Sequence, residues 1–250
     1  ATGRDSMVAN SVKVTVQTAP KSVALNITNK TIDLSSNERI FQLVGTISPS
    51  TANVYTHLKY TSSDKTVADV DENTGRVTAL KNGTATITVS TENNKTATCN
   101  VTVVTSPTGI ALDKNRATVN LSGTKTVELT AKIQPDTANI YTELSWISEA
   151  PEIAQVEKLN GSTVKVTGIS NGSAKIKVRT ENGKEATCVI VVETSITGIE
   201  IIPKTAKINM LEDPKLQLNK KLTPESATEL VTWTSSNISV ATVDKNGLVT

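Results

Sequence analysis

The residues of this chain that could do chemistry are few, and a short acidic segment is the first to consider. Asp69, Asp71 and Asn73 alternate along it and are followed by a glycine. Carboxylate and amide oxygens at such spacing can bind a hard cation such as Ca²⁺. The related segments at 157–161 and 244–247 carry a lysine and fewer carboxylates. Because Asp/Asn-Gly pairs also form tight turns, we predict a turn here, with weak calcium binding as the alternative.

Enzymatic chemistry has little support in the residues. Histidine is the usual general base, and the chain has one, His57, which we expect on the surface. No GxSxG, P-loop, GxGxxG, HExxH or CxxC motif occurs. Cys99 and Cys188 lie in alternating apolar segments, which predicts buried thiols; an intermolecular disulfide or a metal site is the alternative. We therefore predict no enzyme and no cofactor.

The aromatic side chains form two groups with different expected roles. Tyr60, Trp146 and Trp233 occupy one position in three related segments. That regularity predicts core packing rather than stacking on sugars or bases. Tyr55 and Tyr141 lie in loops that follow prolines, and we predict that they contact a ligand, either a glycan or a host surface protein. The alternative for a loop tyrosine is that it covers an apolar edge of its own domain.

Charge and hydropathy exclude two classes of partner. The net charge of +2 is spread along the chain without a run of like charges, so we expect no nucleic-acid binding. No apolar run approaches the roughly 18 residues of a membrane span, so we expect no membrane insertion in this segment. The remaining candidate partners are other copies or neighbouring repeats of the same protein, a glycan, or a host surface protein.

The candidate residues belong to a pattern that occurs three times. Its clearest copy contains Trp233-Thr-Ser-Ser236 and Val240-Ala-Thr-Val243, and degraded copies start at Tyr60 and Trp146. Such a fixed period is the signature of a tandem array. The period is 87 and then 89 residues, measured between three equivalent positions: Val23, Ile110 and Ile199.

Each repeat shows the period of two that is typical of half-buried β-strands. Apolar residues alternate from Phe41 to Ile47, and Pro49 closes that strand because proline cannot donate to a ladder. Asn82-Gly83 and Asn171-Gly172 precede further alternating runs, which indicates hairpins. The pattern predicts an all-β chain of tandem β-sandwiches.

The repeats give the domain boundaries. We predict repeats at 19–106, 107–195 and 196–250, the third lacking its last strands, and a closing strand of a preceding repeat in 1–18, over Val8–Val16. The junctions contain no Gly/Ser-rich linker, so we expect the array to behave as a rod. The two ends are consistent with a window from a longer array, which we favour, or with head-to-tail exchange of strands.

These residues resemble a known family, the bacterial immunoglobulin-like group 2 domains of intimin- and invasin-type surface proteins and some phage structural proteins. Departures from the family pattern are Tyr60 for tryptophan, Lys21-Ser-Val23 for Thr-Gly-Ile, and Glu149-Ala150 for Ser-Asp. Besides the tryptophan segment, the resemblance rests on these motifs: Thr108-Gly-Ile-Ala-Leu112, Thr197-Gly-Ile-Glu-Ile201, Asn82-Gly-Thr-Ala-Thr-Ile87 and Asn246-Gly-Leu-Val-Thr250.

The resemblance implies an extracellular location at the bacterial cell surface and no catalytic residues. It implies that the three predicted sandwiches are Ig-like repeats, so that the fold is all-β with tandem Ig-like β-sandwiches arranged as a rod. It also implies a structural or adhesive array that acts as a spacer or in surface assembly. The alternatives are a module that binds carbohydrate or a host protein, and an accessory region of a larger surface enzyme or phage structural protein.

Overall fold

The computed structural model describes residues 12–212 and 214–250, and its regular secondary structure in that range is entirely β-strand. The prediction of an all-β, Ig-like chain is therefore confirmed. No helix able to span a bilayer occurs among the described residues. The chain divides into two compact units, Ala1–Ser106 and Pro107–Thr250, which are described separately.

The first unit is a sandwich of two main sheets. One has the strand order β2-β9-β8-β5 and the other β3-β7-β6, while β1 pairs with β4. All pairs are antiparallel except β2 with β9. The strands are β1 Ser22–Leu25, β2 Asn29–Asp33, β3 Ile40–Gln42, β4 Gly45–Ser48, β5 Leu58–Ser62, β6 Ala68–Val70, β7 Arg76–Ala79, β8 Gly83–Thr91 and β9 Thr96–Val104.

Alternation along the long strands builds the core of this unit. Successive side chains of a strand point to opposite faces, so Ile87 and Val89 of β8 are fully buried while Thr86 and Thr88, which alternate with them, face outward. Cys99 and Val101 of β9 are likewise fully buried. These residues join Leu43 in one apolar cluster between the sheets.

The second unit begins with a more complete sandwich. Its two four-stranded sheets have the orders β10-β12-β15-β14 and β11-β17-β16-β13. Leu129, Val164, Ile176 and Ile190 are fully buried between them. The strands are β10 Gly109–Leu112, β11 Arg116–Asn120, β12 Thr126–Gln134, β13 Leu144–Ser148, β14 Ala154–Lys158, β15 Thr163–Gly168, β16 Gly172–Thr180 and β17 Glu185–Glu193.

The rest of the second unit forms two two-stranded sheets, β18-β20 and β19-β21. Of its described residues from Ile196 onward only Gly247 is buried, and apolar side chains such as Ile199 and Val240 remain exposed. The strands are β18 Gly198–Ile202, β19 Leu216–Gln217, β20 Asn219–Thr223 and β21 Leu248–Val249.

Two strand predictions need correction. In the segment Val8–Val16, residues 8–11 lie outside the described range, and Val12, Val14 and Val16 are exposed and form no strand. Alternation alone is insufficient, because a strand also needs a partner for its backbone groups. The predicted strand Phe41–Ile47 is interrupted: β3 ends at Gln42 and β4 begins at Gly45.

The predicted Asn-Gly hairpins are also wrong. Asn82-Gly83 lies between β7 and β8, and Asn171-Gly172 lies between β15 and β16, so each pair connects strands of different sheets. The glycines are still needed, because each has a φ of +148°. A Cβ on Gly83 would also lie 2.8 Å from the side chain of Val67.

Candidate functional site

Tyr55 and Tyr141 occupy equivalent loops with the same unusual backbone. Their φ values are +57° and +56°, in the left-handed region that residues with a side chain rarely adopt. About half of each residue is exposed, 53% for Tyr55 and 49% for Tyr141. The structure therefore holds two aromatic side chains at the surface, where the sequence predicts them. Their contact with a ligand stays a prediction.

The first of these loops is held in place by its asparagine. The side chain of Asn53 donates to the carbonyl of Val16 at 2.8 Å and accepts from the amide of Thr18 at 2.8 Å. The loop therefore binds the segment that precedes its own repeat. The third repeat has no equivalent tyrosine, because its loop from Pro224 to Trp233 is two residues shorter than the others.

The acidic segment forms a turn that uses its own carboxylate. Asp71 accepts hydrogen bonds from the amides of Asn73 and Thr74, at 3.1 and 2.8 Å, and from the Thr74 hydroxyl. The bonds from Thr74 hold the pKa of Asp71 below its usual value. Asp69 lies exposed on β6. Within the described ranges, no group of three or more His, Cys, Asp or Glu side chains could hold a metal ion; weak calcium binding stays a prediction.

The three related aromatic residues pack inward to different degrees. Tyr60 is 4% exposed, and its hydroxyl accepts a hydrogen bond from the amide of Gly45 at 2.9 Å. Trp146 is half-buried against both apolar clusters of its repeat, and among the described residues its indole nitrogen has no hydrogen-bond partner. The core-packing prediction is confirmed for Tyr60 and Trp146.

The other reactive groups are inert in this fold. Cys99 and Cys188 are free, fully buried thiols, as predicted. Burial raises the pKa of both, which disfavours the nucleophilic thiolate. His57 is exposed, as expected. Each thiol donates to a backbone carbonyl, Cys99 to that of Asn100 and Cys188 to that of Val189, both at 3.9 Å.

The sequence interpretation missed a set of polar contacts at the end of each complete repeat. Thr105 donates to Asn82 at 2.6 Å in the first unit, and Thr194 donates to Asn171 at 2.6 Å in the second. Both threonines are buried. A signal was available, because Asn and Thr recur at these positions with the same separation of 23 residues.

Comparisons with known proteins agree with this architecture. The sequence profile of the bacterial Ig-like domain (group 2) family matches residues 40–101, 107–191 and 195–250. The chain belongs to this family. It is also 30% identical over 138 residues to an uncharacterized protein of Clostridium acetobutylicum, a match that covers 53% of this chain and 13% of that protein.

The solved structures that match this chain have low sequence identity to it and TM-scores below 0.5. Domains 1–6 of the surface layer protein SbsC match at 19% identity and a TM-score of 0.34, over 94% of this chain and 32% of that one. The protocadherin GammaB4 extracellular domain matches at 10% identity and a TM-score of 0.42, over 91% and 43%. The chain thus spans less than half of each of these relatives.

Proposed function

We propose that these bacterial Ig-like repeats form a non-catalytic structural array of a cell-surface or secreted protein, in which they act as a spacer or in surface assembly. Membership of the group 2 family supports this proposal. The observation that carries it is the junction between the second and third repeats, where both repeats bind the connecting residues directly.

The junction residues are held from the side of the second repeat first. Ser195 contacts Asn120, whose side-chain oxygen accepts from the Ser195 amide at 3.3 Å. Ser122 donates to the Ser195 carbonyl at 2.9 Å. Asn171 accepts from Thr194 and also donates to the carbonyl of Ser226 in the third repeat, at 2.6 Å.

The third repeat binds the same residues from its own side. The amide of Thr228 donates to the Thr194 carbonyl at 3.0 Å, and the amide of Ile196 donates to the Glu229 carboxylate at 2.9 Å. The bond from Ile196 holds the pKa of Glu229 below its usual value. Most of the junction's backbone groups are hydrogen-bonded. We therefore expect the junction to be stiff and not to act as a free hinge between the second and third repeats.

Nuclear magnetic resonance relaxation of the full chain tests the spacer role. We expect amide order parameters for residues 193–197 close to those of β16 and β17, because an anchored segment has little fast motion. Order parameters below about 0.6 for these residues would contradict an anchored junction and with it the spacer role. The location is tested by antibodies against the chain, which should label intact cells of the producing bacterium; labelling only after lysis would contradict a surface role.

Ligand binding through the loops is a second candidate function. It is favoured by Tyr55 and Tyr141, which are half-exposed although their backbone conformation costs an ordinary residue about 1 kcal/mol. Strained residues that the surrounding structure maintains cluster at binding sites. Loss of binding to a glycan array or a host surface protein in the double variant Tyr55→Ala/Tyr141→Ala tests this candidate, and a double variant that still binds would contradict it.

A further inference from the structure

A cleft of about 520 Å³ opens beside the Tyr141 loop in the second repeat. Sites for small ligands commonly have volumes of 300–1,000 Å³. The lining is mixed, with apolar side chains and charged side chains in the same cleft: Ala131, Ile133 and Leu144, together with Lys132, Asp136 and Glu143.

A longer hairpin creates one wall of this cleft. In the first unit β6 and β7 form three residue pairs, whereas β14 and β15 form five. Leu43 bonds to Gly75 at the end of the short hairpin, but the equivalent Leu129 lies opposite Val164, partway along the long one. The hairpin therefore continues to Ser162, whose carbonyl accepts from the Ala131 amide at 2.8 Å.

The corresponding space in the first unit is filled. A Cβ on Gly45, the counterpart of Ala131, would lie 2.6 Å from the Leu58 side chain and 3.1 Å from the Tyr60 hydroxyl. On the extended hairpin of the second repeat, a Cβ on Gly161 would meet nothing within 4 Å. The second repeat has three additional residues between its turn glycine and Val166, and Gly161 and Ser162 of this longer hairpin line the cleft.

The charges around the cleft define the chemistry of its occupant. Lys132 and Asp136 form an ion pair at 3.2 Å, while Glu143 has no ion pair among the described residues. The lining therefore carries one uncompensated negative charge, which repels acidic ligands. Carboxylates and the Ser162 hydroxyl can bind hydroxyl groups, and the half-buried Ile133 and Pro135 offer an apolar surface.

We propose that this cleft binds a neutral oligosaccharide, with the Tyr141 ring against one sugar and the Glu143 carboxylate accepting from its hydroxyl groups. A pyranose has an apolar face and a rim of hydroxyls, which is the combination that the lining matches. Tyr141 is not part of the lining itself, but it is half-exposed and lies in the chain between Ala138 and Thr142, which both line the cleft. This inference deepens the second candidate function and is independent of the spacer role.

The test uses the full chain and isothermal titration with cellohexaose, mannohexaose and chitohexaose as neutral probes. A hexamer of galacturonic acid is the acidic comparison. Gly161→Phe should fill the cleft without disturbing the core. Gly123→Phe is the matched control, because Gly123 is in the same repeat, outside the cleft, and a Cβ there also meets nothing within 4 Å. Tyr141→Asn removes the ring but tolerates the positive φ, with Tyr55→Asn as its control.

We expect at least one neutral hexamer to bind and the acidic hexamer not to bind. Gly161→Phe and Tyr141→Asn should each weaken binding by about tenfold or more, as expected for an anchor residue, while both control variants bind as before. If binding is lost in Tyr141→Asn but kept in Gly161→Phe, the ligand does not occupy the cleft. That outcome would contradict this proposal but would remain compatible with ligand binding by the loop. Binding of none of the neutral probes, or equal binding of the acidic one, would overturn the proposal itself.

Discussion

At the level of single residues, Gly75 shows how the aromatic of the first repeat is seated. Its φ is +73°, and a Cβ there would lie 2.6 Å from the Leu43 carbonyl and 2.8 Å from the Tyr60 ring. Both the backbone conformation and the contact therefore require glycine. The ring can pack against the turn only because this side chain is missing.

We expect Gly75→Ala to destabilise the first unit by about 2–3 kcal/mol, because it adds a clash to a strained φ. Denaturant-dependent hydrogen exchange at the core amides of each repeat would measure this change in stability. Gly161→Ala is the matched control, since its Cβ meets no atom within 4 Å; a change within about 0.5 kcal/mol is expected there. Equal effects of the two substitutions would contradict the packing argument.

Asp33 makes the stability of the first unit dependent on pH in the acidic range. Its partial burial raises the pKa, but hydrogen bonds from Ser106 and Ser35 outweigh that effect and lower it from 3.8 to about 2. Ser106 donates both its amide, at 3.0 Å, and its hydroxyl to this carboxylate. The carboxylate thereby ties the end of the first repeat to β2.

Because the folded-state pKa lies below the unfolded one, Asp33 contributes stability at pH values above about 4, and that stability is lost as the pH falls through 2. We expect Asp33→Asn to reduce the loss of stability of the first unit between pH 4 and pH 2. Thermal unfolding at several pH values checks this. Asn120 holds the equivalent place in the second repeat, so Asn120→Ala should leave the pH dependence unchanged. An identical acid response of Asp33→Asn and the parent chain would contradict the assignment.

At the level of elements, the two long hairpins β8–β9 and β16–β17 form the centre of each sandwich. Each presents a buried cysteine at the same position, Cys99 and Cys188. Their neighbours on the strand face the opposite way, so Thr98 is exposed. Access to the thiols therefore reports the opening of the hairpins.

We expect both native thiols to react with Ellman's reagent only when their sandwich opens, because they are fully buried and burial raises their pKa. The added thiol of Thr98→Cys lies one residue from Cys99 but on the outer face, and should react within the mixing time. The time course of absorbance in native buffer and in denaturant measures this. Rapid reaction of the parent chain in native buffer would contradict the buried position.

The alternating rows of these strands could be predicted because a period of two is a local property of the sequence. The apolar positions of β8 and β9 are an example. Asn82-Gly83 was misinterpreted because a hairpin and a connection between sheets differ only in which strands pair, a long-range property. The cleft has a visible sequence signal, the additional residues before Val166, but its open space depends on Leu58, Tyr60 and their counterparts in three dimensions.

At the level of the whole chain, the first two repeats share one fold but differ in the length of one hairpin and in the surface beside it. The first unit closes its sandwich beneath a short turn, and the second repeat opens a cleft beneath a longer one. The pairs Asn82–Thr105 and Asn171–Thr194 instead recur unchanged. The array thus keeps its end contacts constant and varies a surface feature, which fits a scaffold that carries a binding site on one of its repeats.

The constant pair gives the last prediction. Asn171 connects Thr194 of the second repeat with Ser226 of the third. In Asn171→Ala both hydrogen bonds are lost, so the amides of Thr228 and Ile196 should exchange hydrogen about fivefold faster, as expected from losing roughly 1 kcal/mol of local stability. Residue-resolved hydrogen exchange measures this, and β16 and β17 should keep their protection.

The control is Asn160→Ala, because Asn160 accepts only from Ser162 and Thr163 in its own hairpin turn. It should leave exchange at Thr228 and Ile196 unchanged. If Asn171→Ala also leaves those two amides protected, Asn171 does not hold the junction. If instead β16 and β17 lose protection together with the junction, the substitution has destabilised the second repeat as a whole. That result would contradict the prediction that Asn171 acts specifically on the junction.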